Sequence, residues 1–390
     1  MRQARNVLVS LSRAGPLWAS GAPSVLYPVY AAKWDLSAAV TTSVFGVYPL
    51  SLLLVLLFFG SLSDTIGRRK TILIGVALIA LSAIVFAIAP NVGFLYLGRV
   101  LQGVGTGFAI GAASAALVEN NYTGNPRIAS SLTTVSTSAG LTLALVISGL
   151  LAEYAPLPLV LSFVALLALT IVAFVLTLFT PHDETVGQRW TFALPRVAPG
   201  MLRPFVLATI SVSIAYAVGA MFLSLGADMA REFTGTTNLF AIGALLGVSS
   251  ATIGITALFL SRMHAHTTIL IGGALSVIGL GLMAAASATG SILVLLLWCI
   301  IGGMGYSFSF TGGLSLINRT APAHHRGATL SLLYLLAYVV QAVVAIGAGM
   351  LATALGLQMA VELASPILAV FCLAAVVLVL FERRTQPQPA

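Results

Sequence analysis

Charge is the scarcest resource in this 390-residue sequence: Asp, Glu, Lys and Arg together make up 7% of it, and only 10 residues are acidic. A domain facing water on all sides needs far more polar surface than that, so a soluble globular fold is excluded. Cysteine is nearly missing as well. Cys299 and Cys372 both fall inside apolar stretches, which argues against a disulfide framework or a thiolate metal site. No GxxxxGK[ST] loop occurs, so nothing is available to cradle the phosphates of ATP. The longest polar stretch, Pro181 to Pro204, is too short to fold into a domain of its own. Ser, His and Asp converge at no single position along the apolar runs. The expectation is a chain that is not an enzyme and carries no cofactor and no metal.

What the sequence does have is apolar length. Hydrophobic residues make up 59% of it and the mean hydropathy is +1.06. About 20 apolar residues cross a hydrocarbon core of about 30 Å as a helix. Twelve such runs can be counted, near 14–32, 38–59, 71–89, 93–118, 129–152, 157–179, 205–227, 238–260, 268–288, 291–316, 328–355 and 360–381. They are numbered here as spans 1 to 12. Short segments of alternating polarity, the mark of barrel strands, are not seen. Span 1 follows Arg2 and Arg5 but has no small-x-small site closing a short apolar core, so it is expected to be retained rather than cleaved.

The formal charge of +8 reports topology rather than a nucleic-acid partner. Of the 18 Lys and Arg residues, Arg99 lies within a span. Lys33 and Arg231 fall on one side of the membrane, and the other fifteen fall on the opposite side. By the positive-inside rule the fifteen are cytoplasmic, as are both termini, in a multi-pass protein of the cell membrane.

The chain also resembles itself. "TILIG" at Thr71–Gly75 recurs at Thr268–Gly272, "GVG" at Gly103–Gly105 as "GMG" at Gly303–Gly305, "RIAS" at Arg127–Ser130 as "RGAT" at Arg326–Thr329, and "SGLLA" at Ser148–Ala152 as "AGMLA" at Ala348–Ala352. Four matches in one order, at offsets of 197 to 200, imply two six-helix bundles of the same orientation. The expected organisation is an N-terminal bundle over 1–180, a cytoplasmic linker over 181–204 and a C-terminal bundle over 205–390. The fold class is therefore all-α and integral to the membrane, with 12 transmembrane helices in two pseudo-symmetric bundles.

One loop carries more charge than topology requires. "GSLSDTIGRRK", Gly60–Lys70, joins spans 2 and 3, and its Gly60, Leu62, Asp64, Gly67, Arg68 and Arg69 resemble the G-x-L-x-D-x-x-G-R-[RK] pattern of the major facilitator superfamily. In span 4, Arg99, Gln102, Gly103 and Gly105 resemble the R-x-x-Q-G-x-G pattern of the same superfamily. The resemblance covers essentially the whole chain and points toward bacterial drug and small-solute exporters. It implies that Gly60, Asp64, Gly67, Arg68 and Arg69 latch the two bundles on the cytoplasmic side while the cavity opens outward. It also gives Arg99 a part in proton coupling. Span 5 departs from the pattern of proton-driven drug exporters. It keeps Gly140 and Gly149 but has Ala144 and Leu145 where a Gly-Pro pair would fall, which weakens the case for antiport.

Physical chemistry adds expectations of its own. Gly67 permits backbone angles that a side chain would resist. An arginine within a span is costly, so Arg99 should face the cavity with a partner, or else snorkel to the interface. No carboxylate lies mid-span. Asp35 and Asp228, which follow spans 1 and 7, are the nearest candidates for proton coupling, and the five histidines all fall in loops. For the cavity wall, Tyr27 and Tyr30 share a face of span 1, together with Trp18 and Ser24 on the same span. Tyr334, Tyr338 and Gln341 share a face of span 11. Tyr48, Tyr216, Trp298 and Tyr306 sit at suitable depths, and prolines 16, 23 and 28 imply a bent span 1. The substrate-binding set is therefore Tyr27, Tyr30, Arg99, Gln102, Tyr334, Tyr338 and Gln341. The function these features imply is a secondary transporter that exports a small organic solute by alternating access. A sugar or metabolite facilitator or importer and a non-transporting membrane sensor or scaffold are the alternatives. The expected partners are the solute, protons as a coupling ion and the lipid bilayer, with the chain acting as a monomer and without nucleic acid.

Overall fold

The computed structural model describes residues 21–59, 62–119, 126–179, 197, 200–260, 262–322 and 326–385. Among these residues the regular structure is helical throughout. Spans 2, 3, 5 and 6 are the helices Ala38–Phe59, Arg68–Ala87, Pro126–Tyr154 and Pro158–Leu178, and spans 7 to 9 are Leu202–Thr234, Leu239–Leu260 and Ala265–Thr289. Spans 10, 11 and 12 are Ile292–Thr320, Arg326–Leu355 and Leu357–Thr385. These ten are long and apolar enough to cross a membrane. The shortest, span 3 with 20 residues, gives about 30 Å of helix. Span 4, Val92–Glu119, is longer still but interrupts its apolar run with Arg99 and Gln102.

Span 1 is described from Gly21 onward, so Pro16 and Trp18 lie outside the described residues. Pro23 and Pro28 have the predicted effect. Ala22–Leu26 forms a turn, with Leu26 N donating to Pro23 O at 3.0 Å, and the helix resumes at Tyr27 and runs to Trp34. Asp35 caps that helix in the left-handed region at φ 50°.

Outward-facing side chains such as Leu54, Leu81, Val172, Phe259, Ile278 and Ile367 are exposed and apolar, a surface that lipid can cover and water cannot. Span 7 is the most buried helix of the ten, and spans 6 and 12 are among the least. The core therefore lies along span 7 and its neighbours, with spans 6 and 12 at the rim.

The internal repeat is visible in the packing. A Cβ placed on Gly75 would stand 2.5 Å from Gly105 O and 2.8 Å from Ala109 N, while one on Gly272 would stand 2.5 Å from Ser309 N. Gly75 maps to Gly272 at offset 197, and Ala109 to Ser309 at offset 200. Spans 3 and 4 thus cross at the same place, for the same reason, as spans 9 and 10. Gly103 likewise meets Tyr48 O and the Ser51 side chain, and Gly303 meets Ser249 O and the Thr252 side chain.

The two halves of the chain touch along two seams, span 2 against span 11 and span 5 against span 8. These correspond too. A Cβ on Gly46 would meet Ile346 and one on Gly247 would meet Val146, so both seams rely on a glycine facing a branched side chain. At the end of the molecule that carries Asp35, each seam is tied by a hydrogen bond. Leu239 N donates to Glu153 Oε2 at 2.7 Å in one, and Ala39 N donates to Thr353 Oγ1 at 2.7 Å in the other. Residues 153 and 353 are related by the same 200-residue offset.

Candidate functional site

Arg99 is wholly buried, and the snorkelling alternative does not hold. Its guanidinium donates to Gln102 Oε1 at 2.7 Å, and its Nε donates to Tyr27 Oη at 3.0 Å, a hydroxyl that a second nitrogen of the guanidinium also reaches. The rings of Tyr27, Phe45 and Tyr48 lie 5.4 to 5.7 Å from its central carbon. A planar fork serves such a site because it can donate in its plane and stack on rings above and below. Gln102 follows Arg99 at i+3, which places it on the same helical face. Tyr30 is buried beside this group and stacks on Trp34, with centroids 5.1 Å apart.

The span 11 face turns inward as its pattern implies. Tyr334, Tyr338 and Gln341 are buried, whereas Leu336 and Val339 on the other face are exposed. Tyr338 meets Tyr216 edge to face at 4.8 Å between centroids, Tyr216 stacks on Phe310 and Tyr306, and Phe310 reaches Tyr334. The span 11 tyrosines therefore belong to an aromatic cluster with Tyr48, Leu52 and Leu56 of span 2. The expected arrangement, with span 1 tyrosines facing span 11 tyrosines across one cavity, is not what the structure shows. The span 1 pair packs around Arg99 and the span 11 pair in the aromatic cluster, with Tyr48 touching both.

The cavity lies next to the aromatic cluster. It offers about 60 Å³ of interior space between the halves, with walls from spans 5, 7, 8, 10 and 11. Thr137, Ser138 and Leu141 come from span 5, Phe222 and Gly219 from span 7, Ser249 and Ile253 from span 8, Trp298, Gly302 and Tyr306 from span 10, and Gln341 from span 11. That is small for a small-molecule site, but its place between the halves is where such sites gather, at interfaces between subdomains. Of the seven residues expected to bind substrate, Gln341 alone is in this wall. Tyr27, Tyr30, Arg99, Gln102, Tyr334 and Tyr338 are held elsewhere. Trp298 and Tyr306, which sequence depth suggested, do line it.

Ser138, Ser249 and Gly302 escaped the sequence reading because small residues carry no signal of their own. The internal repeat contained one. By the matched contacts of Gly103 and Gly303, Ser249 stands where the first half has Tyr48, and at the offset of 200 Gly302 stands where it has Gln102. Small residues replacing large ones at matched positions mark a place where the second half is hollow.

The glycine-arginine loop is partly described. Gly60 and the Asp64 side chain lie outside the described residues. Gly67 is buried at φ 93° and ψ 146°, a conformation a Cβ would strain, and its carbonyl accepts from Thr71 N at 3.2 Å and from Thr71 Oγ1 at 2.9 Å. Arg69 donates to Leu178 O at the end of span 6, within its own half, and Arg68 is half-buried. The expectation paired this loop with a cavity open at the Asp35 end, but in this structure that end is tied across both seams. Asp35 is exposed, Asp228 is half-buried on span 7 near Arg231 and Glu232, and neither lines the cavity.

A family model described as Major Facilitator Superfamily matches residues 17–223 and again 205–390. The chain is 33% identical over 131 residues to the uncharacterized MFS-type transporter EfpA of Mycobacterium tuberculosis, a match covering 33% of this chain and 24% of that protein. It is 31% identical over 99 residues to the lincomycin resistance protein of Streptomyces lincolnensis, covering 25% of this chain and 20% of the relative. These alignments thus span about a quarter or less of the curated relatives. Among solved structures, the nucleoside transporter NupG superposes with a TM-score of 0.74 at 14% identity, over 96% of this chain and 99% of that one, which shows a common fold. With both halves matched and the fold shared end to end, this multi-pass membrane protein belongs to the Major Facilitator Superfamily.

Proposed function

We propose that the protein is a secondary transporter that carries a small organic solute through the cavity between its halves by alternating access, in the direction of export. The observation that carries this reading is the cavity itself. It lies between two pseudo-symmetric halves whose most extensive contacts are two seams, each built on a glycine and each tied at the Asp35 end by a side chain to a helix-start amide. Seams of that kind can part and re-form without repacking either half, which alternating access requires. The export direction is supported by the loop and span 4 patterns and by the likeness to a protein named for lincomycin resistance. Both termini and the Gly60–Lys70 loop are placed in the cytoplasm on the distribution of Lys and Arg. The halves are assigned to residues 1–180 and 205–390, joined by a linker over 181–204.

Proton coupling is part of the proposal. Asp228 follows Phe222 by six residues on span 7, about 9 Å of helix rise from the cavity wall. The test is purified protein in liposomes loaded with a panel of fluorescent organic solutes. Flux that depends on protein and changes with an imposed pH gradient is expected. Protein-dependent flux indifferent to the gradient would remove the coupling, and absence of flux for every solute would favour a sensor.

A further inference from the structure

The two seams between the halves use equivalent helices, yet at the end opposite Asp35 they are held by different chemistry. Span 5 meets spans 8 and 10 there through hydroxyls. Ser138 Oγ donates to Ser250 O at 2.6 Å, and the hydroxyls of Thr134 and Thr311 share a hydrogen bond of 2.9 Å, all four residues being buried. Gly254 lets the helices close on this contact, since a Cβ there would run into the Ser138 side chain. Span 11 instead presents Tyr334 and Tyr338, which pack in one cluster with Leu52 and Leu56 of span 2.

The difference is written into the internal repeat. Val146 faces Gly247 as Ile346 faces Gly46, which fixes the offsets at 200 for spans 5 and 11 and 201 for spans 2 and 8. At these offsets Tyr338 stands for Ser138 and Leu53 for Gly254. Spans 4 and 10 match at 200, so the counterparts of Thr134 and Thr311 are Tyr334 and Gly111, and a glycine has no hydroxyl with which to repeat the tie. The hydroxyl bonds also lie on a way out of the cavity. Thr137 and Tyr306 line it, and Thr134 and Thr311 follow them away from Asp35 by about 4.5 and 7.5 Å of helix rise.

Parting the two seams costs different amounts. Hydroxyls released to water exchange one hydrogen bond for another, so the net loss is small. Packed rings drawn apart expose up to about 200 Å² each, and water returns nothing for that area. We infer that the cavity opens at the end opposite Asp35 along one seam alone: the hydroxyl seam of spans 5, 8 and 10 parts, while the tyrosine seam of spans 2 and 11 stays packed and serves as the hinge. This rests on alternating access through the cavity, and it replaces a symmetric separation of the halves with a one-sided one.

The experiment measures distances between nitroxide labels on the full chain in lipid nanodiscs, with Cys299 and Cys372 replaced by alanine. One labelled pair is Ala139→Cys with Phe259→Cys, across the hydroxyl seam. The other is its counterpart in the repeat, Val339→Cys with Phe58→Cys, across the tyrosine seam. All four positions are exposed, so the labels disturb no packing. Thr134→Val with Thr311→Val keeps the volume and removes the tie. In that background the first pair should gain a population longer by about 5 Å, while the second stays within about 2 Å of its starting distance. Ser138→Ala, which removes the other bond, provides the same comparison should the valine pair fail to fold.

Equal widening of both pairs, widening of the second alone, or no widening of the first would overturn the inference. A cross-link separates it from the transport reading. With hydroxyls 2.9 Å apart, Thr134→Cys and Thr311→Cys are within reach of a disulfide on oxidation with diamide, and closing it should abolish flux of the fluorescent solutes until a reductant restores it. A disulfide that forms and leaves flux unchanged would overturn the one-sided gate and leave transport standing. Unequal widening in a protein that moves none of the solutes would leave the unequal seams standing and remove transport.

Discussion

Two places in the molecule that the internal repeat makes equivalent have opposite contents. In the first half, the space against spans 2 and 4 is filled by Arg99, Gln102, Tyr27 and Tyr48, joined by hydrogen bonds and ring contacts. In the second half, the corresponding positions of spans 8 and 10 carry Ser249, Cys299 and Gly302; Cys299 is packed in the core, while Ser249 and Gly302 line the cavity. The same substitution of small for large occurs across the seams, where Ser138 lines the cavity and its counterpart Tyr338 fills the aromatic cluster. Backbone packing is nearly conserved between the halves, as the matched glycine contacts show. One framework used twice thus gives a rigid half and a hollow half, according to side-chain volume alone.

Breaking the filled half should have the largest effect. Arg99→Ala removes the donors that Tyr27 and Gln102 accept from, leaving buried oxygens unsatisfied beside a void. A stability loss of about 3 kcal/mol or more is expected in thermal unfolding of the detergent-solubilised protein. Arg99→Lys keeps the charge and loses the fork, and should recover less than half of that loss. A variant as stable as the parent would show that the group is not what holds the first half together.

Exchanging the contents of the two places is the next test. Ser249→Tyr puts into the hollow half the side chain that Tyr48 supplies in the filled one. It should cut solute flux at least tenfold with little change in unfolding temperature, because the ring enters existing space. Tyr48→Ser should do the reverse, costing about 2 to 4 kcal/mol by opening a void. Unchanged flux in Ser249→Tyr would place the transport path elsewhere.

The smallest effect concerns the two ties at the Asp35 end. Glu153 and Thr353 accept equivalent amide hydrogen bonds, one with a carboxylate at the start of a helix and the other with a neutral hydroxyl. Both lie at the surface, so each contributes about 0.5 to 1 kcal/mol. Glu153→Ala should speed hydrogen exchange at the Leu239 amide a few-fold, and Thr353→Ala should do so less at Ala39. Equal acceleration at both amides would show that the carboxylate adds nothing beyond geometry.

The site was less legible in the sequence than the fold, and the residues show why. The Gly67 requirement could be read from a short charged turn, and the burial of Tyr334, Tyr338 and Gln341 from their helical spacing. Both depend on neighbours in sequence. The fate of Arg99 could not be read this way. Its cost within an apolar run was plain, but whether Tyr27, 72 positions away, would pair with it depends on how span 1 bends after Pro23.

The sequence by itself determined that the chain spans a membrane, where its helices run, and that its two halves repeat. Each of these follows from local apolar length, charge placement or self-similarity, which act through the backbone and the solvent. Only the tertiary structure decided which tyrosines pack and which serines line a cavity. A void has no residues of its own. It is the space left when side chains from five helices, distant in sequence, fail to meet, and that depends on summed volumes at one place rather than on any stretch of chain.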